Sequence, residues 1–355
     1  MSISKHGKGY RAIVYNPMTG KNDYSTTFSS RSEAKKAEVR MIRRVEAGRD
    51  LSNKITLQAA YDLWLSTVKR NVAERTADAY VYNWKKYCKP MADMVVQRIQ
   101  PIDIVKWRSD MEADYSPETI NKSLSLISMV LDFCRDVLRV IEVSPAEHVP
   151  RCKIQQTVHP TWTEEEIHSF LAFIKDSLYY APIALICVTG MRPGECCGLM
   201  EDDLSLSGSL SLHQGRNAKG NTTRMKTERS HRTIKLTSEI SGILREYIHE
   251  KHMVGCMKKE LFVSADFQPL RPDVLSRHFR SLLRSYNKTK KTQLPEIRLY
   301  DIRHSFATNC LMDGAKSKLV SEVMGNSVNT MEHHYAHLRE TMHEELISGY
   351  AEKII

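Results

Sequence analysis

The longest apolar run of the chain, Ala181 to Val188, stops at Thr189-Gly190-Met191-Arg192-Pro193-Gly194-Glu195. Such a run has the length of a core helix and falls far short of the roughly 18 apolar residues a membrane span requires. Gly190 on one side and Pro193-Gly194 on the other predict a turn, so a buried helix presents Arg192 outward from its end. Hydrophobic content of 41% is ample to cover that helix with a packed core.

Three more segments follow in fixed order. Ser205 to Leu236 alternates and breaks like a small antiparallel sheet, with Asn217 to Thr223 as a flexible turn and Met225-Lys226-Thr227-Glu228-Arg229-Ser230-His231-Arg232 after it. Leu299-Tyr300-Asp301-Ile302-Arg303-His304-Ser305-Phe306-Ala307 opens a helix that runs to Met312. Met324-Gly325-Asn326 precedes Tyr335 in His334-Tyr335-Ala336-His337.

The rest of the chain divides by pattern, and 355 residues suggest two or three domains. In residues 1–50, Gly9 to Tyr15 alternates as a strand, Asn16-Pro17-Met18-Thr19-Gly20 turns, and Asp23 to Phe28 reads as a second strand. A capping box at Ser30 to Glu33 starts a helix with Ala37, Met41, Ile42 and Val45 on one side. Residues 55–145 read as four helices, through Tyr61 and Trp64, Tyr80 and Trp84, Pro101 to Met111, and Ser116-Pro117 to Leu138. Residues 146–160 have no period and read as a linker. A capping box at Thr163 to Glu166 opens the last domain, 161–355.

Net charge is +10, and the excess is uneven: +6 in residues 1–50, zero in 51–150 and +4 beyond. A basic excess favours polyanions, because bound phosphates release condensed counterions. Eight scattered cysteines form no Cys-x-x-Cys pair, which reads as buried reduced thiols. With no signal-peptide pattern at its start, the chain is expected in the cytoplasm, nucleoid-associated in a bacterial host.

The order, spacing and flanks of the boxes resemble the catalytic domain of the tyrosine recombinases, the phage-integrase family, over roughly residues 161 to 345. The resemblance implies a mixed α/β, mostly helical protein. It would have a sheet-plus-helix arm-binding domain (1–50), a four-helix core-binding domain (55–145) and a catalytic domain ending in an exchange helix. Arg192 and Arg303 would be the clamps on the phosphate, Lys226 the donor of the leaving-group proton, Tyr335 the nucleophile and Glu195 the support of Arg192. The reaction needs no metal: a guanidinium presents a planar fork to phosphate and keeps its charge. A tyrosine phosphodiester preserves the energy of the bond it replaces. No cofactor is implied. The implied partners are double-stranded DNA at core and arm sites, a homotetramer on that DNA, and DNA-bending and directionality factors, with no membrane.

Two positions depart from the family pattern. The usual histidine three residues before the second arginine is Tyr300, a poor base at neutral pH. The usual Gly-His or Gly-Trp pair, nine residues before the nucleophile, is Gly325-Asn326. Asn326 is expected to donate one uncharged hydrogen bond to the phosphate. Both substitutions imply weakened acid–base assistance, and a DNA-binding relative without activity stays open, as does a type IB topoisomerase. The candidate DNA contacts in the arm are Arg11, Lys35, Lys36, Arg40, Arg43 and Arg44, with a solvated basic helix that caps its neighbour as the alternative there. Lys85 and Lys86 are the candidates in the helical domain. The apolar stripe from Leu338 to Ile354 either caps its own subunit or docks on a neighbour.

Overall fold

The computed structural model describes residues 2–16, 20–46, 54–154, 160–225 and 231–334, which fall into two compact units, Met1–Gln156 and Thr157–Ile355. The first begins with an antiparallel sheet in the order β1 (Ser2–His6), β2 (Gly9–Asn16), β3 (Lys21–Tyr24), in register Ile3↔Ala12 and Val14↔Asp23. Ala12 and Val14 point inward under α1 (Arg31–Glu46), whose Ala34 and Ala37 are buried. The strand β1 has no counterpart in the sequence reading. Ser-Ile-Ser-Lys-His is too short and polar to show its period, and the long-range pairing with β2 makes it a strand. Residues Asp23 to Phe28 form strand only as far as Tyr24, with Phe28 rejoining the sheet through a bridge to Tyr10.

Four helices follow: α2 (Leu57–Val68), α3 (Glu74–Asn83), α4 (Pro101–Glu112) and α5 (Pro117–Asp136). After α3 the chain widens into a π-helical turn, Trp84–Cys88. The turn serves packing: Trp84 stacks on Tyr61 with ring centroids 3.9 Å apart, and its Nε1 donates to Gln58 Oε1 at 2.8 Å. Ser116 caps α5, its Oγ accepting from Thr119 N. The same core takes in Ala146 and Val149, and Asn121 exchanges two hydrogen bonds of 2.9 Å with the backbone of Cys152. Chain that reads as spacer is therefore packed as far as Cys152. One side-chain amide satisfies both backbone groups of a residue and leaves no periodic trace.

The second unit opens with α6 (Glu164–Phe173), whose capping box forms as read: Thr163 N donates to Glu166 Oε2 and Glu166 N to Thr163 Oγ1. The apolar run becomes α7 (Tyr180–Thr189), buried from Ala181 to Cys187. Next come α8 (Pro193–Cys196) and two two-stranded antiparallel sheets. One pairs β4 (Ser209–Leu212) with β7 (Arg232–Lys235); the other is a hairpin of β5 (Gln214–Arg216) and β6 (Thr222–Arg224). The further helices among the described residues are α9 (Ser238–Met253), α10 (Pro272–Thr289), α11 (Asp301–Met312), α12 (Ser317–Met324) and α13 (Val328–His334). The core includes an aromatic cluster of Trp162, Phe170, Phe279 and Tyr286. Trp162 N donates to Ser305 Oγ on α11, tying the start of the unit to the helix that bears Arg303. Among the described residues no helix is long and apolar enough to cross a membrane. Burial pushes the Cys187 thiol up to about 12, so it is inert at neutral pH.

Candidate active site

Arg192 caps the N-terminus of α8, three residues beyond the apolar end of α7. Gly190 makes the junction. It sits at φ +59°, and a Cβ there would lie 2.4 Å from the Phe306 ring. Only glycine allows the left-handed turn and that close approach together. Its carbonyl is then free to accept from Arg303 Nη1 at 2.6 Å.

Arg303 lies on α11 and is 2% exposed. Nη1 also donates to the Met324 carbonyl (2.9 Å), and Nη2 to Asn326 Oδ1 (2.7 Å). Arg192 Nη2 donates to the same Asn326 Oδ1 at 2.9 Å. One neutral oxygen is thus gripped by two guanidiniums. The carbonyl end of the amide must face them, since its NH2 would meet only donors. The carbonyl thus points at the arginines, and the NH2 is the part of the amide left to donate.

Glu195 supports Arg192 as expected, with Arg192 Nη1 at 2.6 Å from Oε1 and Arg192 N at 3.1 Å from Oε2. It also holds a third cation. Arg232 Nη2 donates to Glu195 Oε2 at 2.9 Å, and Arg232 Nε to the Val323 carbonyl at 2.6 Å. Sequence reasoning quoted Arg232 but gave it no role. Its signal was the arginine closing the run from Met225 to Arg232, on the strand that pairs with β4. Burial would raise the Glu195 carboxyl; Arg232 and Arg192 outweigh it and hold the group below its ordinary value.

Among the described residues, three guanidiniums and one carboxylate leave a surplus of two positive charges in a largely buried site. Desolvation first, and then the charge of Arg192, lower the Arg303 pKa to about 10. A guanidinium destabilised in this way, with a neutral amide as its acceptor, is arranged for an arriving anion.

Tyr300, at the start of α11, is 44% exposed, and its ring meets His304 edge-on at 5.7 Å. Its neighbour Asp301 is buried and receives both Arg298 Nε and Nη2. Lys226 and Tyr335, the expected proton donor and nucleophile, lie outside the described residues.

The DNA-contact candidates of the first unit are placed differently. Lys36, Arg40 and Arg43 are exposed on α1, while Lys35 pairs with buried Glu38 at 2.5 Å. Arg44 lies on the same helix with its side chain outside the described set. Arg11 lies 4.6 Å over the Tyr24 ring. Lys85 and Lys86 are exposed on the π-helical turn, where Lys86 Nζ is 3.0 Å from Tyr82 Oη and lies over the rings of Tyr82 and Tyr87.

The model of the phage integrase family matches residues 161–342 of this chain. The ICEBs1 integrase of Bacillus subtilis (strain 168) is 23% identical over 373 residues, spanning 98% of this chain and 98% of the relative. The tyrosine recombinase XerC of Listeria innocua is 23% identical over 294 residues, 79% of this chain and 92% of that one. Among solved structures, the Tn1549 transposon integrase in complex with transposon right end DNA superposes with a TM-score of 0.69. That match has 20% identity and covers 82% of this chain and 99% of the other. A lambda integrase tetramer bound to a Holliday junction matches with a TM-score of 0.59 and 15% identity, over 92% of this chain and 95% of the other. These structural likenesses establish the fold: a mixed α/β, mostly helical architecture.

Proposed function

This chain belongs to the phage integrase family, the tyrosine recombinases, and from that premise we propose that it integrates and excises a mobile element by cutting DNA through a 3′-phosphotyrosine. The observation that carries the reading is the single oxygen of Asn326 held between Arg192 and Arg303. A phosphodiester entering there replaces that acceptor with two non-bridging oxygens, one for each fork. As phosphorus is attacked, charge on those oxygens grows toward two, the surplus left by Arg192, Arg232 and Arg303 over Glu195.

Tyr335 attacks phosphorus and gives up its phenolic proton to solvent water during attack, since the ordinary phenol pKa near 10 leaves it protonated beforehand. Lys226 protonates the departing 5′-oxygen. Asn326 donates its NH2 to the phosphate, and the Tyr300 hydroxyl adds a hydrogen bond without serving as a base. Religation follows with a 5′-hydroxyl from a second duplex, and the second pair of strands is exchanged through a Holliday junction. The assembly is a homotetramer on core sites, bridged to arm sites by residues 1–50 and clamped by residues 55–145. DNA-bending and directionality factors set its course. The guanidiniums offset the phosphate charge that metal ions offset in many nucleases, so the chemistry requires no cofactor.

The test is a nicked suicide duplex bearing a core site from the flanks of the encoding element, incubated with the protein in EDTA and run on a denaturing gel. The expected result is a covalent adduct that Tyr335→Phe abolishes while binding persists. Binding with no adduct from the unaltered protein would sink the catalytic reading. An adduct without strand transfer to a partner duplex would favour a topoisomerase.

A further inference from the structure

Arg216, on β5, is a buried arginine with no part in the site above. Its three nitrogens reach three separate segments. Nε donates to the Cys197 carbonyl (3.2 Å), just past α8; Nη1 to the Gly220 carbonyl (2.7 Å), in the turn of the β5–β6 hairpin; and Nη2 to Glu260 Oε1 (3.2 Å). Glu260 belongs to the segment bridged to Met200. A buried ion pair is a poor way to gain stability compared with apolar packing, but a planar guanidinium fixes angles as aliphatic packing does not.

The hairpin is also seated directly on α8. A Cβ on Gly198 would lie 2.5 Å from Gly215 Cα, and Gln214 Nε2 donates to the Gly198 carbonyl at 2.9 Å. The hairpin therefore lies along α8, against Gly194 near the Arg192 end and against Gly198 just past the other. Lys226 follows the last residue of β6 by two positions.

We propose that Arg216 is a positioning residue for strand cleavage: it fixes the hairpin against α8, and so sets the approach of Lys226 to the leaving oxygen. This rests on Lys226 being the proton donor. A fault in that approach affects the leaving group alone, which separates it from a general loss of structure.

The experiment uses the full chain and two versions of the nicked duplex, one normal and one with sulfur replacing the bridging 5′-oxygen. A thiolate leaves without a proton, its conjugate acid having a pKa near 8.5 in a cysteine-like thiol. Lys226→Ala and Arg216→Ala should both bind the core site as the unaltered protein does. On the normal duplex Lys226→Ala should cut on the order of 100-fold more slowly or worse, as loss of a general acid predicts, and Arg216→Ala roughly tenfold to 100-fold more slowly. Both should return to within about tenfold of the unaltered protein on the sulfur duplex, while Arg216→Lys, unable to reach three segments at once, should behave like the alanine variant. Sulfur rescue of Lys226→Ala without rescue of Arg216→Ala would overturn the proposal and leave Lys226 in place. Failure to rescue Lys226→Ala would overturn both. If Arg216→Ala does not fold, Glu260→Gln, which keeps the shape and removes the charge opposite Nη2, should give the same rescue at smaller amplitude, and its absence would count equally against the proposal.

Discussion

The two units handle positive charge in opposite ways. Around the candidate active site, Arg303 and Glu195 are buried and the Arg232 side chain is 8% exposed, and their partners come from the turn after α7, from α8, from α12 and from the residues that follow α12. In the N-terminal unit, Lys36, Arg40, Lys85 and Lys86 stand exposed, and Lys86 leans on two tyrosine rings. Exposed charge suffices to hold a polyanion, since counterion release is indifferent to small displacements. Bond-breaking at one phosphorus requires charges already in place before the substrate arrives, in surroundings that do not screen them. The buried set therefore depends on its neighbours for stability, whereas the exposed set is nearly independent of them.

The largest effect follows from removing the carboxylate. Glu195→Ala removes the buried carboxylate that Arg192 and Arg232 share. Breaking such a pair destabilises by about 3–5 kcal/mol, which urea unfolding followed in the second unit should register, together with loss of the covalent adduct. Acid should mimic part of this. The Glu195 pKa is lowered in the folded state, so its contribution is complete above the ordinary carboxylate pKa of about 4.3 and is lost as pH falls through the folded value. Glu195→Gln should flatten that portion of the pH–stability curve. A full-sized acid response in Glu195→Gln would mean that the buried cluster does not depend on this charge.

A smaller but still decisive effect is expected at Gly190. Alanine there combines a left-handed backbone with a Cβ 2.4 Å from Phe306. Strain and overpacking together cost roughly 2–4 kcal/mol, and the carbonyl that holds Arg303 moves. Thermal unfolding and adduct yield should both fall. Unchanged adduct formation would show that the carbonyl is not needed to aim the guanidinium.

Gly190 also marks how far the sequence can be read. The turn that presents Arg192 is local, made by an apolar run, a glycine and a Pro-Gly pair, and it forms as expected. The capping boxes at Thr163 and the cap at Ser116 are local too. Arg232 and Asn326 are different. Their roles depend on partners far along the chain, Glu195 and Val323 for one and Arg192 and Arg303 for the other, and no periodicity records such meetings. The family pattern brought Asn326 to notice, yet only the geometry turned its carbonyl toward the arginines. β1 was missed for the same reason, since its strand character lies in the partner strand.

The smallest effect should come from the exposed set. Lys86 sits on the π-helical turn with Nζ over Tyr82 and Tyr87, so the two rings fix where its charge is displayed without neutralising it. If that charge meets a DNA phosphate, Lys86→Ala should weaken core-site binding by a similar factor on every sequence, because phosphate contacts position a protein and do not read bases. The slope of log Kd against log salt should fall by about 0.9, one counterion fewer released. Unfolding of the second unit should not change, in contrast to Glu195→Ala. A mutant whose salt slope matches the unaltered protein would remove Lys86 from the interface. One that also lowered stability by as much as the buried substitutions would break the distinction between displayed and buried charge on which the comparison of the two units rests.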